Sequence, residues 1–374
     1  MTVYNRLVVK LGSNTLTAGG ERLSRPQMLE LVRQVAALHR QGLQIVVVSS
    51  GAIAAGREVL GFPQPQKGIP FKQMLAAVGQ NHLMRTWTDL FAIYGIPIAQ
   101  TLLTRGDLAN RQRYLNARNT LLALLDHGVI TIINENDTVA VEEIRIGDND
   151  NLSAQVAALV EADLLVLLTD TDGLYTADPH ADPTATLIPE VTRLDARLER
   201  LAGRAGSDRG TGGMLTKIQA ARLATQAGTA VVIANGSTPD VLLRLVGGER
   251  LGTLFHAAAN SPRSRQCWIA SGLASRGQVQ IDEGAARALL QNGRSLLPAG
   301  ITSVSGRFQR GDTVDILDAS GRRIASGIAN YAWGDVQRIA GLHSDRIEET
   351  LGYEYGEEVV HRNNMVILQA EGTE

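Results

Sequence analysis

The sequence predicts an α/β fold: a three-layer αβα unit around a mostly parallel sheet, followed by a second, small, mainly β unit. Three observations predict it. Up to about residue 258, short β-branched apolar runs alternate with longer stretches of helical spacing, the pattern of βαβ units. Several of those runs are apolar throughout, so neither strand face is meant for solvent. From residue 277 onward the runs are short and alternating and glycine is abundant, as in a small barrel or sandwich.

In chain order, the apolar runs 7–10, 44–48, 96–100, 129–133, 164–168 and 230–233 read as strands. Between them, 25–41, 71–94, 115–126, 152–161 and 215–227 carry apolar residues at helical spacing. The pattern breaks over 257–276, where Ala-Ala-Ala-Asn-Ser-Pro-Arg-Ser-Arg suits a connector. The expected division is therefore 1–258, a linker over 259–276, and 277–374, the last with strands at 314–317, 323–328 and 365–368 and a helix at 283–292.

A chain of 374 residues, 44% hydrophobic, can bury a substantial core and is long enough for two domains. The net charge of −2 gives no global pull toward nucleic acid or acidic membranes, so an anion site must be made locally. The single cysteine, Cys267, excludes an intramolecular disulfide. No run reaches the ~18 apolar residues of a membrane span, and the N-terminus enters a strand pattern without a signal-peptide layout, so a cytoplasmic location is expected. Of 36 basic residues only Lys10, Lys67, Lys72 and Lys217 are lysine. Where a compact ammonium persists beside glycines, as at Lys10 and Lys217, a point charge suits the position better than a planar fork.

Four strand-to-loop junctions concentrate glycine, hydroxyls and amides, and in open α/β sheets ligands bind at the carboxyl ends of strands. The first, Val9-Lys10-Leu11-Gly12-Ser13-Asn14, delivers a lysine beside a glycine that lets backbone N–H groups approach an anion. Taken alone it reads more readily as a solvated lysine before a turn. The second, Val48-Ser49-Ser50-Gly51-Ala52-Ile53, passes from strand into helix and leaves free N–H groups beside Ser50 and Gly51, although a serine there can also be a plain helix cap.

The third junction joins Asn134-Glu135-Asn136-Asp137-Thr138 to Gly147-Asp148-Asn149-Asp150-Asn151-Leu152-Ser153. Asn and Asp also populate ordinary turns, and the spacing does not fit an EF-hand calcium loop. The fourth joins Leu168-Thr169-Asp170-Thr171-Asp172-Gly173 to Gly210-Thr211-Gly212-Gly213-Met214-Leu215-Thr216-Lys217, glycines and threonines ahead of a helix, as in a phosphate-binding loop. The lysine spacing is not that of a Walker A motif, and no strand-linked G-x-G-x-x-G is present, which argues against P-loop NTPases and Rossmann dehydrogenases.

Together, and in this order, the segments 8–13, 48–53, 134–137, 147–153, 168–175 and 210–217 resemble the amino-acid kinase superfamily, and within it the glutamate 5-kinases. The stretch from about Gly277 is similar to the PUA domain that many bacterial members carry. The resemblance implies ATP-dependent phosphorylation of the glutamate side-chain carboxylate to glutamyl 5-phosphate, the first step of proline synthesis, with Mg²⁺ on the nucleotide and proline as inhibitor. It implies Lys10, Lys217 and Asp150 as catalytic, the lysines on the phosphates and Asp150 orienting them. Ser50, Gly51, Asn134, Asp137 and Asn149 would hold glutamate. Lys10, Gly12, Thr169, Asp170 and the run Thr211, Gly212, Gly213, Met214, Leu215, Thr216 and Lys217 would contact ATP, and no residue is assigned to a metal.

A homo-oligomer, dimer or tetramer, is also expected. A superfamily relative acting on acetylglutamate, aspartate, carbamate or UMP fits less well, given the C-terminal unit and the Asn-Glu-Asn-Asp segment. RNA binding by the tail is disfavoured, since 277–374 holds no lysine, nine arginines and fourteen acidic residues.

Overall fold

The computed structural model describes residues 4–66, 68–140, 149–177, 179, 182–192, 194, 198, 213–257 and 275–368. The chain divides into two compact units, Met1–Ser261 and Pro262–Glu374. Of the expected linker, all but Ser275 and Arg276 lies outside the described residues.

The first unit is built on strands β1 (Arg6–Leu11), β2 (Gln44–Ser49), β3 (Ile98–Leu103), β4 (Ile130–Glu135), β5 (Leu164–Thr169), β6 (Glu190–Val191), β7 (Ala230–Asn235) and β8 (Thr253–Phe255). They form one sheet in the order β3-β4-β2-β1-β5-β7-β8-β6. Pairing is parallel from β3 through to β7, and β8 turns antiparallel against β7.

Helices α1 (Ser13–Thr17), α2 (Arg25–Arg40), α3 (Ala52–Val59), α4 (Ile69–Ala92), α5 (Arg105–Ala109), α6 (Arg111–Asp126), α7 (Asn149–Leu159), α8 (Met214–Gln226) and α9 (Val241–Val246) complete the unit. Alternation along β1 separates the two faces. Leu7, Val9 and Leu11 pack with Leu31, Val35 and Trp87 of α2 and α4. Val8 packs with Leu152 and Val156 of α7 and Ile218 of α8. This is the three-layer, mostly parallel arrangement that the apolar runs require.

Differences from the expected elements have local causes. β3 begins at Ile98, two residues past the expected start, because Pro97 has no N–H for the ladder and contributes only its carbonyl, to Ile130 N at 3.3 Å. α6 begins at Arg111, four residues before its expected start, where the Asn110 side chain accepts from Arg113 N at 3.1 Å and caps the helix. β6, β8, α1 and α5 are too short to carry a readable period.

α3 and α4 meet glycine to glycine. A Cβ on Gly56 would lie 1.9 Å from the Leu75 carbonyl oxygen, and one on Gly79 would lie 1.8 Å from the Ala52 oxygen. Glycine inside a helix costs ~0.5–1 kcal/mol relative to alanine, so two of them here mark an approach that no side chain allows. The contact draws α4 over the end of β2, where Trp87 Nε1 donates to Ser49 Oγ at 3.1 Å.

The second unit has five strands, β9 (Gly277–Ile281), β10 (Ile301–Gly306), β11 (Thr313–Leu317), β12 (Arg323–Ile328) and β13 (Met365–Ile367), in the order β10-β9-β11-β12-β13. Only the β9–β11 pairing is parallel. Helices α10 (Glu283–Asn292), α11 (Trp333–Ile339) and α12 (Ile347–Leu351) accompany it. α10 starts where Asp282 accepts from Ala285 N at 2.7 Å. The core is formed by residues such as Val279, Ile281, Phe308, Val314, Ile316 and Tyr331. No helix among the described residues is long and apolar enough to cross a membrane.

Gly79→Ala must push α4 away from α3, an overpacking that should lower the unfolding free energy by about 1–3 kcal/mol. Urea denaturation measures it; an unchanged midpoint would show that the helices separate at no cost.

Candidate active site

From β1 the chain builds β2, β3 and β4 on one side of the sheet and then crosses from β4 to β5 on the other, so the carboxyl end of β1 lies where the winding reverses. Lys10, the penultimate residue of β1, pairs in register with Val48 of β2 and Leu167 of β5. It shares the strand face of Val8, which packs on α7 and α8. From that layer α7 supplies Asp150 in its first turn and α8 supplies Lys217.

The three side chains meet. Lys10 Nζ lies 2.6 Å from Asp150 Oδ1, and Lys217 Nζ lies 3.2 Å from Asp150 Oδ2. Thr216 Oγ1 donates to the same Oδ2 at 2.7 Å. Both lysines are 5% exposed and the carboxylate 1%. Burial opposes ionisation of Asp150, but the two ammonium groups outweigh it and hold the carboxyl down at about 2. Burial lowers Lys217, an effect that Asp150 opposes and Lys10 reinforces. Two ammonium groups share the Asp150 carboxylate, and the Asp170 carboxylate also attracts the Lys217 ammonium.

Around this centre, Gly12 has no side chain over the lysine; a Cβ there would sit 3.6 Å from Lys10 Nζ and fill the space above the ammonium. At the end of β5, Thr169 Oγ1 donates to Asp170 Oδ1 at 3.1 Å, and Asn14 Nδ2 donates to Asp170 Oδ2 at 2.8 Å. Asp170 is driven up by its burial but ends below the usual carboxylate range through the hydrogen bonds from Asn14 and Thr169. Gly213 caps α8 in an extended conformation, and its carbonyl, 2.8 Å from Thr216 Oγ1, competes with Asp150 Oδ2 for the single hydroxyl hydrogen.

On the β2–β4 side the groups are neutral amides and hydroxyls. Gly51 holds φ at +101°, a left-handed conformation that favours glycine, and starts α3 immediately after Ser50. Asn149 Nδ2 donates to Ser50 Oγ and to Asn134 Oδ1, each at 3.0 Å. Asn134 Nδ2 donates in turn to Gln80 Oε1 of α4 at 2.8 Å. The Asn149 Oδ1 is buried and has no hydrogen-bond partner. Asp137, after β4, lines an open pocket of about 400 Å³ together with Gln80, Met84 and Leu102, and burial raises its carboxyl to about 6.

The expected site residues thus fall into two adjoining groups that share α7. Lys10, Asp150, Thr216 and Lys217 are in direct contact, as are Ser50, Asn134 and Asn149. Asn149 and Asp150 are consecutive, which ties the groups together. Thr169 and Asp170 lie on the neighbouring strand end, and Asp137 stands on the pocket wall. Thr211 and Gly212, with Gly147 and Asp148, lie outside the described residues. Leu215 is 38% exposed and makes no hydrogen bond through its aliphatic side chain. Sequence reading assigned nothing to Gln80 or Trp87, which sit in a helix of ordinary apolar spacing, and gave Asn14 no role.

The amino acid kinase family model matches residues 5–235, and the PUA domain model matches residues 277–351. The glutamate 5-kinase of Dehalococcoides mccartyi strain CBDB1 is 51% identical, covering 98% of this chain and 99% of its own. That of Shewanella halifaxensis is 54% identical, covering 98% of each, and that of Herpetosiphon aurantiacus is 54% identical, covering 97% and 98%. The chain belongs to the amino acid kinase family and, within it, to the glutamate 5-kinases.

Asp150→Asn should destabilise the protein by roughly 3–5 kcal/mol at neutral pH, because it leaves two buried ammonium groups without their counter-charge. The folded value of Asp150, about 2, lies below its ordinary 3.8, so its contribution is complete above 3.8 and lost as pH falls through about 2. Urea midpoints of the two proteins should therefore converge between pH 4 and pH 2. A gap that stays constant over that range would contradict the shared-carboxylate geometry.

Proposed function

We propose that the protein transfers the γ-phosphoryl group of ATP to the side-chain carboxylate of L-glutamate, giving L-glutamyl 5-phosphate and ADP, the first step of proline biosynthesis. The observation that carries the reading is the buried Lys10–Asp150–Lys217 centre beside the hydrogen-bonded Ser50–Asn134–Asn149 cluster. The glutamate 5-kinase relatives support the choice of substrate.

In the proposed reaction a carboxylate oxygen of glutamate attacks the γ-phosphorus, the bond to the β–γ bridging oxygen breaks, and ADP leaves with the electron pair. Donor and acceptor are both anions, so the dominant task is to neutralise charge spreading over the phosphoryl oxygens. Lys10 and Lys217 face that charge, and Asp150 fixes both ammonium groups. No general base is needed, since a glutamate side chain with a pKa of about 4.3 is already ionised at neutral pH.

The nucleotide is assigned to Gly12, Thr169, Asp170 and the segment from Thr211 to Lys217, and the acceptor to Ser50, Gly51, Asn134, Asp137 and Asn149. Asp137 suits the glutamate ammonium. Mg²⁺ carried by ATP would share the phosphoryl charge, drawing its oxygens chiefly from the phosphates. The reading extends to proline as inhibitor, a cytoplasmic homodimer or homotetramer, and domains at 1–258 and 277–374 joined over 259–276. The regulatory or assembly role assigned to the tail fits its acidic balance.

Incubation with ATP, Mg²⁺ and hydroxylamine tests it: glutamate, and not aspartate or acetylglutamate, should give hydroxamate, and proline should suppress it. Hydroxamate from another acceptor would replace the substrate assignment. Lys10→Ala and Lys217→Ala should each lower turnover by several orders of magnitude in a folded protein, and Lys217→Arg should fail as well, because a planar fork does not replace a compact ammonium.

With the Asp137 carboxyl at about 6, kcat/KM for glutamate should fall about tenfold per pH unit below that value. The fall should vanish in Asp137→Asn, whose activity would be uniformly low. A profile that is flat through pH 6 in the parent protein would remove Asp137 from ammonium binding.

A further inference from the structure

A second set of constraints acts on the acceptor cleft from α4. An amide side chain can be turned either way round, and which end meets the ligand depends on what its other atoms are bonded to. Asn149 keeps its Oδ1 free of protein partners only while its Nδ2 takes the neighbouring acceptors. That nitrogen is occupied by Ser50 Oγ and Asn134 Oδ1. Asn134 can offer its oxygen only while its own nitrogen points the other way, toward Gln80 Oε1 at 2.8 Å. The Asn134 oxygen also accepts from Glu135 N at 2.9 Å, so a reversed Asn134 would set its NH₂ against two donors.

We propose that Gln80 is a positioning residue for the acceptor: by fixing the Asn134 amide it fixes Asn149, whose buried Oδ1 is thereby held as the acceptor for a donor group of the bound amino acid. This rests on the assignment of Ser50, Asn134 and Asn149 to the acceptor. Asn134 is 2% exposed and Asn149 4%, so water competes little for either amide. The Asn149 Oδ1 is buried without a partner, a cost that a ligand donor such as an ammonium group relieves. Gln80 itself stands on the wall of the 400 Å³ pocket, one residue after Gly79, where α4 packs closely on α3.

The test is a double-mutant cycle on the full chain with Gln80→Met, Asn134→Ala and the pair, reading KM for ATP and for whichever carboxylate the parent protein phosphorylates. Gln80→Met should raise the acceptor KM about tenfold, the scale of one lost hydrogen bond, and leave the ATP KM within about twofold. In the Asn134→Ala background the same change should cost less than about twofold, because nothing is left for Gln80 to hold. Equal costs in both backgrounds, or an unchanged acceptor KM in the single variant, would overturn the proposal, as would a parallel rise in the ATP KM. If Gln80→Met does not fold, Gln80→Ala takes its place in the cycle. A parent protein that phosphorylates a carboxylate other than glutamate refutes the substrate assignment alone, since the cycle is then read on that acceptor.

Discussion

The carboxylate of Asp150, clasped by two ammonium groups, is the interaction on which the first unit depends. Desolvating each of these charges costs several kcal/mol, and only close mutual pairing offsets it. The pairing requires β1 at the centre of the sheet, with the starts of α7 and α8 converging over its carboxyl end, so residues 10, 150 and 217 meet only if the whole crossover pattern is in place. Asp170 also acts on the Lys217 ammonium, so the cations of this centre are balanced from two strand ends and not from α7 alone.

The neutral half of the site follows a different logic. Its amides orient one another by the direction of their hydrogen bonds and add no charge to the centre beside them. Because Asn149 and Asp150 are neighbours on one helical turn, a shift of α7 would move both halves together. The start of this helix couples the geometry of the amide cluster to that of the cations.

Much of this was legible in the sequence, and the parts that were not have identifiable reasons. Uniform apolar runs such as 164–168 announced buried parallel strands, because such a strand needs no polar face. Lys10 and Lys217 stood out against an arginine-rich background. The meeting of residues 10, 150 and 217 came from family resemblance, because spacing in sequence carries no distance across a sheet. Gln80 was invisible: a glutamine in an amphipathic helix has no local signature, and its role arises only from Asn134, 54 residues later in the chain. The starts of β3 and α6 were misplaced where Pro97 and Asn110, single residues with decisive backbone effects, outweighed the apolar pattern.

Gly56 and Gly79 bear on how this protein can change. Replacing helical glycines by alanine is a standard route to greater heat resistance, because it removes freedom from the unfolded chain. At these two positions the route is closed, since each methyl group would fall on the backbone of the opposite helix. Gly79 also adjoins Gln80, so even a variant that tolerated the strain would carry it toward the Asn134 amide. Attempts to make the enzyme more robust should begin elsewhere, and a library that randomises α4 should hold position 79 fixed.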